Sequence, residues 1–313
     1  MCSLVVGSRG SRLALYQTRE VIDRLQRLHA GVSCRIEVIR TTGDKIADLP
    51  LSRIGDTGVF VRQIEQALID GRIDLAVHSA KDLPSETVPG LCVAAYPARE
   101  NPADALVSRV SGLGQLPAGA RIGTSSVRRK AQLLHVRPDL DVVDLRGNLD
   151  TRLAKLDGGQ CDAIVVACAG LTRMGWHGRA TEILSWDVCL PAAGQGALAV
   201  QCRLEDAVCD LVRSIDDALT RSCVTAEKTF VARLGAGCRT PVAALAVCEG
   251  DRLRLDGLVA AVDGSRLVRR TEFGDPRHPE EVGRRLADWF MRSSARELVE
   301  DARVEDDRGP EPW

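Results

Sequence analysis

The chain has few aromatic residues. They make up 3% of its 313 residues, which leaves few stacking platforms for unpaired bases and argues against single-stranded nucleic-acid binding. Net charge is also nearly absent, at a formal −1, so no global field draws the chain to DNA or to an anionic membrane. No apolar run approaches the roughly 20 residues that span a bilayer. The eleven cysteines include no Cys-x-x-Cys pair and no Cys/His cluster at zinc spacing, so no bound metal is expected. Free thiols fit a reducing compartment. The opening residues, MCSLVVGSRGSR, hold no charged segment followed by a long apolar stretch, so no secretory signal is read and the cytoplasm is the expected location. Lysine is scarce as well. Only Lys45, Lys81, Lys130, Lys155 and Lys228 are lysine among 42 basic residues, and the rest are arginine. Coding bias explains such a total more readily than function does, so only the placement of particular arginines is informative.

What is present is a strand–helix rhythm. With 45% hydrophobic residues, the chain can fill two or three domains of about 100–150 residues. Strands are expected at Leu4–Val6, Ile36–Ile39, Leu75–Val77 and Leu91–Ala95, before Asn101-Pro102 breaks the pattern. A second series runs from Ile122 through Val142–Leu145 to Ile164–Val166. Both series begin strand, glycine, hydroxyl residues, arginine, helix. Both later run from a glycine through a helix to an aspartate ahead of a buried strand, sixteen residues from Gly58 to Asp74 and fifteen from Gly147 to Asp162. The fold class is therefore α/β, with two similar doubly wound domains built on largely parallel sheets. The last third changes character. Leu219–Leu234 carries a helical apolar stripe, Val242–Val247 reads as a strand, and Leu253–Val259 and Leu267–Arg270 flank the hairpin signal Asp263-Gly264. A closing helix from about Glu280 to Leu298 completes a small α+β domain. The acidic, proline-containing tail from Val299 reads as disordered.

Three arginine-bearing loops follow expected strands and open expected helices: Arg9 with Ser11, Arg128 with Arg129, and Arg146 with Arg152. Helix starts at strand ends offer free N–H groups to anions, and arginine adds bidentate pairing with carboxylates. Thr124, Ser125 and Ser126 either donate to such an anion or cap the helix; for one loop the cap is the simpler reading, and three alike favour an anion site. Lys81-Asp82 follows the strand Leu75–Val77 through His78, and a carboxylate among cations keeps its charge and can steady a developing cation or shuttle a proton. His78 itself reads as a hydrogen-bonded structural residue. Cys238 sits in Gly235-Ala236-Gly237-Cys238-Arg239. Most cysteines are small core hydrophobes, a reading that suits Cys161, Cys168 and Cys248. A loop cysteine between glycine and arginine is equally a candidate nucleophile.

Several motifs, in one order, carry a family resemblance. They are Gly7-Ser8-Arg9-Gly10-Ser11 with Leu13-Ala14-Leu15, Val77-His78-Ser79-Ala80-Lys81-Asp82-Leu83-Pro84, and Gly123-Thr124-Ser125-Ser126-Val127-Arg128-Arg129. To these are added Leu145-Arg146-Gly147-Asn148 with Thr151-Arg152-Leu153, Pro191-Ala192-Ala193-Gly194-Gln195-Gly196, and Gly237-Cys238. Together they resemble the hydroxymethylbilane synthase (porphobilinogen deaminase) family over nearly the whole chain.

The resemblance implies a dipyrromethane cofactor joined to Cys238 by a thioether, Asp82 as the catalytic carboxylate, and Arg9, Arg128, Arg129, Arg146, Arg152 and Arg173 as holders of acetate and propionate groups. Ser11, Lys81, Thr124, Ser125, Ser126, Asn148 and Gln195 would assist. The substrate would be porphobilinogen, which loses ammonia to give an electrophilic azafulvene that the free α-carbon of the growing chain attacks. Four units would be condensed before the linear tetrapyrrole leaves, and the protein would act as a monomer. Two domains like the halves of periplasmic binding proteins are implied. Domain 1 would take residues 1–98 and 197–216, domain 2 residues 99–196 and domain 3 residues 217–300, with a disordered acidic tail at 301–313. The sequence departs from the family at Gly55-Asp56-Thr57-Gly58, where a lysine-bearing lid is usual, at Arg12 and Tyr16, and at Gly235-Ala236 and Arg239 beside the cysteine. Two rival readings are a two-lobed anion-binding module and an inactive paralogue.

Overall fold

The computed structural model describes residues 2–40, 61–84, 87–204, 206–236, 240–293 and 295–307. The described chain falls into two compact units. The first takes residues up to 40, then 61–100 and 196–221; the second takes 101–195 and the residues from 222 onward.

The first unit is organised by a sheet whose order is β2-β1-β3-β10-β4, formed by β1 (Cys2–Ser8), β2 (Val32–Val38), β3 (Leu75–Ser79), β4 (Leu91–Ala95) and β10 (Leu198–Arg203). Strands β1, β2 and β3 run parallel, and β10 is antiparallel to both its neighbours. Alternate residues of β1 serve opposite faces, as the pleat requires. Leu4 and Val6 join a core with Val21, Ile22 and Leu25 of the helix Arg12–Leu28. Val5 packs on the other side, where Ile64, Ala67 and Leu68 of the helix Arg62–Ile69 close the second face. Covering both faces is what lets a parallel sheet be continuously apolar.

The second unit repeats this arrangement. Its sheet has the order β7-β6-β8-β5-β9, from β5 (Asp104–Ser108), β6 (Arg121–Gly123), β7 (Asp141–Val143), β8 (Ala163–Ala167) and β9 (Glu182–Ile183). Again three strands are parallel and the fourth, β5, is antiparallel. The antiparallel fourth strand is in each case the first one the chain makes on entering that sheet from the other. The echo between the aspartates has a physical basis. Asp74 accepts the Val5 N–H at 2.7 Å and donates its own N–H to the Val5 carbonyl at 2.8 Å. Asp162 treats Arg121 in the same way, at 2.8 and 2.9 Å. Each aspartate thus pins one residue of the middle parallel strand, Val5 within β1 and Arg121 at the start of β6.

A three-stranded antiparallel sheet, β11 (Val242–Glu249), β12 (Arg252–Ala260) and β13 (Leu267–Gly274), follows in the second unit. Phe230 of the helix Ala218–Arg233 and Phe290 of the helix Pro279–Arg292 lie in its core, their rings 5.4 Å apart. Two expectations are corrected here. The closing helix is not continuous, for the first segment ends at Arg292 and a second runs Arg296–Asp307. That second helix also replaces disorder in the tail as far as Asp307, because Ala295, Leu298 and Val299 are buried in the same core and anchor its first turn. Strands β5 and β10 were not foreseen, since Asn101-Pro102 and the glycines near 194–196 read as breaks and hid the short strands that follow them.

Gly283 meets the neighbouring helix so closely that a Cβ would lie 2.5 Å from the Ala226 carbonyl oxygen. Alanine normally improves a helix interior. Here Gly283→Ala should instead destabilise by about 1–3 kcal/mol, seen as a lower urea midpoint.

Candidate active site

In the first unit the candidate residues stand at carboxyl ends of strands. Strand β1 ends at Ser8, Arg9 follows half-buried, and Ser11 caps the next helix by accepting the Ala14 N–H at 3.2 Å. Strand β3 ends at Ser79, and Ala80–Asp82 form one 3₁₀ turn. The turn is held from two sides. Ala80 donates its N–H to the Ala197 carbonyl at 3.0 Å, and Ser79 exchanges hydrogen bonds with Gln17. Lys81 and Asp82 are both exposed on this anchored turn, so the carboxylate is accessible on a fixed backbone. His78 is buried within β3.

In the second unit the loop after β6 ends in the helix Val127–Val136, capped by Ser126, whose Oγ accepts the Arg129 N–H at 3.5 Å. Thr124 Oγ1 accepts the Ser126 N–H at 3.2 Å, and Ser125 donates to the Leu145 carbonyl at 2.7 Å. These hydroxyls shape the helix start. The caps use oxygen lone pairs, so Thr124 and Ser126 keep their own O–H groups as donors.

Arg128 and Arg129 are both buried at 5% exposure, as is Asp104 at 0%. Arg128 Nη1 donates to Asp104 Oδ2 at 2.8 Å and to the Leu190 carbonyl at 2.7 Å. Arg129 reaches Asp104 Oδ1 through Nη2 at 2.7 Å and Nε at 3.1 Å, and its Nη1 donates to the Val165 carbonyl. Gln195 is buried too, and its Nε2 donates to Asp104 Oδ1 at 2.9 Å and to the Pro102 carbonyl at 2.8 Å. The Cys189 thiol lies 3.2 Å from Asp104 Oδ2. Burial alone would raise the Asp104 carboxyl, but Arg128 and Arg129 overcome it and hold its pKa well below the usual carboxylate range. Burial, and then Asp104, push the Cys189 thiol up to about 12. It is a hydrogen-bonding thiol, not a nucleophile.

The third loop brings Arg146 and Arg152 together with Arg129. Arg146 pairs with Asp144 at 2.9 Å, and Arg152 Nε donates to the Gly147 carbonyl at 2.8 Å. Burial, then the Arg129 charge and to a smaller degree Arg146, depress the Arg152 pKa to about 10, with Asp144 offsetting part of the loss. Such depression is rare for arginine, whose charge is otherwise permanent. A carboxylate placed beside Arg152 would remove the penalty. Asn148 is exposed at the N-cap position just before the helix Leu149–Asp157, and Arg173 ends the helix Cys168–Arg173 half-buried. Cys238 and the segment Gly55–Gly58 lie outside the described residues. Cys161 and Cys168 are core residues, while Cys248 is half-buried.

Sequence reasoning missed Asp104 and Cys189. A charged residue opening the apolar run Ala105-Leu106-Val107 was the available signal, since such a carboxylate must find a buried cation.

Arginines gathered at strand ends in a doubly wound α/β scaffold define an anion-handling protein. The particular family comes from sequence comparison. Residues 4–210 match the model of the porphobilinogen deaminase dipyromethane cofactor binding domain, and residues 221–291 match the porphobilinogen deaminase C-terminal domain. The porphobilinogen deaminase of Roseiflexus sp. (strain RS-1) is 50% identical over 299 residues, covering 95% of this chain and 98% of its own. That of Pelotomaculum thermopropionicum is 48% identical over 307 residues, covering 97% and 98%. Among solved structures, the substrate binding domain of a putative molybdenum ABC transporter from Clostridium difficile is similar over 69% of this chain and 90% of its own, at 12% identity and a TM-score of 0.43. The chain belongs to the porphobilinogen deaminase family.

The lowered Asp104 pKa has a pH signature. Its contribution to stability is fully present above the ordinary carboxyl value of 3.8 and is lost as pH falls through the lower folded value. The stability gap between the native protein and Asp104→Asn should therefore be constant between pH 5 and 7 and narrow below about pH 4, read from urea midpoints across that range.

Proposed function

We propose that this chain is an active hydroxymethylbilane synthase that condenses four porphobilinogen molecules head to tail on a primer joined to Cys238 by a thioether. The observation that carries the reading is the arginine cluster, in which Arg128 and Arg129 lie buried on one carboxylate and half-buried Arg152 feels the Arg129 charge. A cluster of that kind fits a cofactor and substrate rich in carboxylates. When bound, the dipyrromethane supplies the nucleophilic free α-carbon from which the product grows.

The chain's own residues divide the remaining work. Arg9, Arg128, Arg129, Arg146, Arg152 and Arg173 neutralise acetate and propionate groups, with Ser11, Lys81, Thr124, Ser125, Ser126, Asn148 and Gln195 assisting. Each added ring brings more negative charge, and planar arginine forks hold carboxylates in register better than mobile lysines do. The Asp82 carboxylate accepts hydrogen bonds from pyrrole nitrogens and stabilises the positive charge that develops as ammonia leaves. Its exposure on an anchored turn supports that role. Division of the second unit into a domain at 99–196 and a C-terminal α+β domain at 217–300, the latter carrying Cys238, belongs to the same proposal. So do action as a cytoplasmic monomer and independence from metals and nucleic acids. The net charge of −1 supports the last of these, and no described helix is long and apolar enough to cross a membrane.

Intact-protein mass spectrometry tests the cofactor assignment. The native protein should exceed its polypeptide mass by two linked pyrroles, and Cys238→Ser should show the bare chain. A bare mass in active native protein would remove Cys238 from the role.

Asp82→Asn keeps the shape of the side chain and removes its charge. Turnover should fall by about two orders of magnitude or more with KM nearly unchanged, the pattern of a group acting mainly in the transition state. Single-turnover kinetics with porphobilinogen provide the measurement, and near-native turnover would exclude Asp82 as the catalytic carboxylate.

A further inference from the structure

We propose that Asp104 is a positioning residue for substrate recognition, fixing the planes of the Arg128 and Arg129 guanidinium groups and through them setting the affinity of the enzyme for acidic pyrroles. This rests on the reading of Arg128 and Arg129 as carboxylate ligands.

Both Asp104 oxygens are saturated. Oδ2 receives Arg128 Nη1 at 2.8 Å and meets the Cys189 thiol at 3.2 Å, and Oδ1 receives Arg129 through two nitrogens and Gln195 Nε2. The far side of the cluster is equally fixed. Arg128 Nη1 also donates to the Leu190 carbonyl, whose peptide is gripped by Gln132: Nε2 donates to that carbonyl at 3.0 Å and Oε1 accepts the Leu190 N–H at 2.7 Å. Arg129 Nη1 is tied to the Val165 carbonyl at 2.9 Å. Each guanidinium is therefore held at more than one point, and neither can rotate without breaking a buried hydrogen bond.

Charge decides between a structural lock and a recognition device. A purely structural buried pair is most stable when it is neutral, and an apolar cluster of the same volume often serves as well or better. Here two buried cations share one carboxylate, and the charge of one of them, Arg129, is felt by Arg152. A surplus positive charge inside the protein costs stability unless an anion arrives to meet it. Asp104 supplies enough negative charge to keep two arginines buried side by side, and too little to neutralise them. A recognition site for carboxylates needs that imbalance.

The test uses the full-length holoenzyme and three variants: Asp104→Asn, Arg129→Lys and the double variant. Circular dichroism and thermal unfolding establish that each is folded. KM and kcat for porphobilinogen are then measured per loaded enzyme, and intact mass gives the fraction of chains carrying the two-pyrrole adduct. Asp104→Asn should raise KM about tenfold and lower the loaded fraction, with kcat changed by less than about threefold. Because Asp104 acts partly through Arg129 and partly through Arg128, the double variant should lose less than the product of the two single losses. A folded Asp104→Asn with native KM beside an impaired Arg129→Lys would overturn the proposal, as would losses that multiply in the double variant. A native KM in Arg129→Lys would instead overturn the arginine reading on which the proposal rests. Should Asp104→Asn fail to fold, Cys189→Ala removes a neutral hydrogen-bond partner from Oδ2 and keeps all three charges. It should raise KM about two- to fivefold, and an unchanged value overturns the proposal.

Discussion

Two guanidinium groups occupy the interior of the second unit because one carboxylate lies between them. Take Asp104 away and Arg128 and Arg129 become adjacent, desolvated like charges, a state that proteins avoid at a cost of several kcal/mol. The helix that begins at Val127 is seated through these two side chains on β5, β8 and the Leu190 peptide. Gln195 ties the segment leading back to the first unit's sheet into the same carboxylate. One buried anion thus sets the position of a helix start, a strand and a loop. The loops that hold Arg146 and Arg152 lie beside the charge that remains.

The two units solve one folding problem twice. In each, an aspartate just ahead of a parallel strand, β3 or β8, grips both backbone groups of one residue on its parallel neighbour, β1 or β6. In each, a serine opens the first helix as its cap, and the fourth strand runs against the rest. They differ in what is built at the strand ends. The first unit presents an exposed aspartate on a short anchored turn, suited to a group that must meet every incoming ring. The second presents arginines, some buried and some half-buried, suited to holding what has accumulated. On the proposed reading, the catalytic carboxylate stands on the first sheet and most of the carboxylate-holding arginines stand on the second.

Much of this was legible in the sequence. The strands at Leu75–Val77 and Leu91–Ala95 and the helix near Leu219–Leu234 appear almost where periodicity puts them, because apolar residues at the pleat or helix period leave little choice of element. The arginine loops were legible as loops, since glycine follows a short apolar run each time and hydroxyl residues accompany it in two of the three. The strands β5 and β10 were not. Each is short and follows a proline or glycine break, and each is held by pairing with strands distant in the sequence rather than by local preference. The tail helix ending at Asp307 was missed for a related reason. Its composition is that of a disordered segment, yet Leu298 and Val299 are anchored in a core made by other elements.

By itself the sequence determined the family and much of the order of the strand–helix units, and it named arginines that are chemically able to pair with carboxylates, because these depend on residue type and on spacings of a few positions. It marked Arg128 and Arg129 as cations at a helix start. Only the tertiary structure decided what that position means. Asp104 lies 24 and 25 residues from the two arginines and 91 from Gln195, and no local pattern relates residues that far apart. Folding of the sheet brings them to one buried point. There the low polarity of the surroundings turns an ordinary aspartate into the group that holds the arginines in place, and leaves a positive charge still to be met.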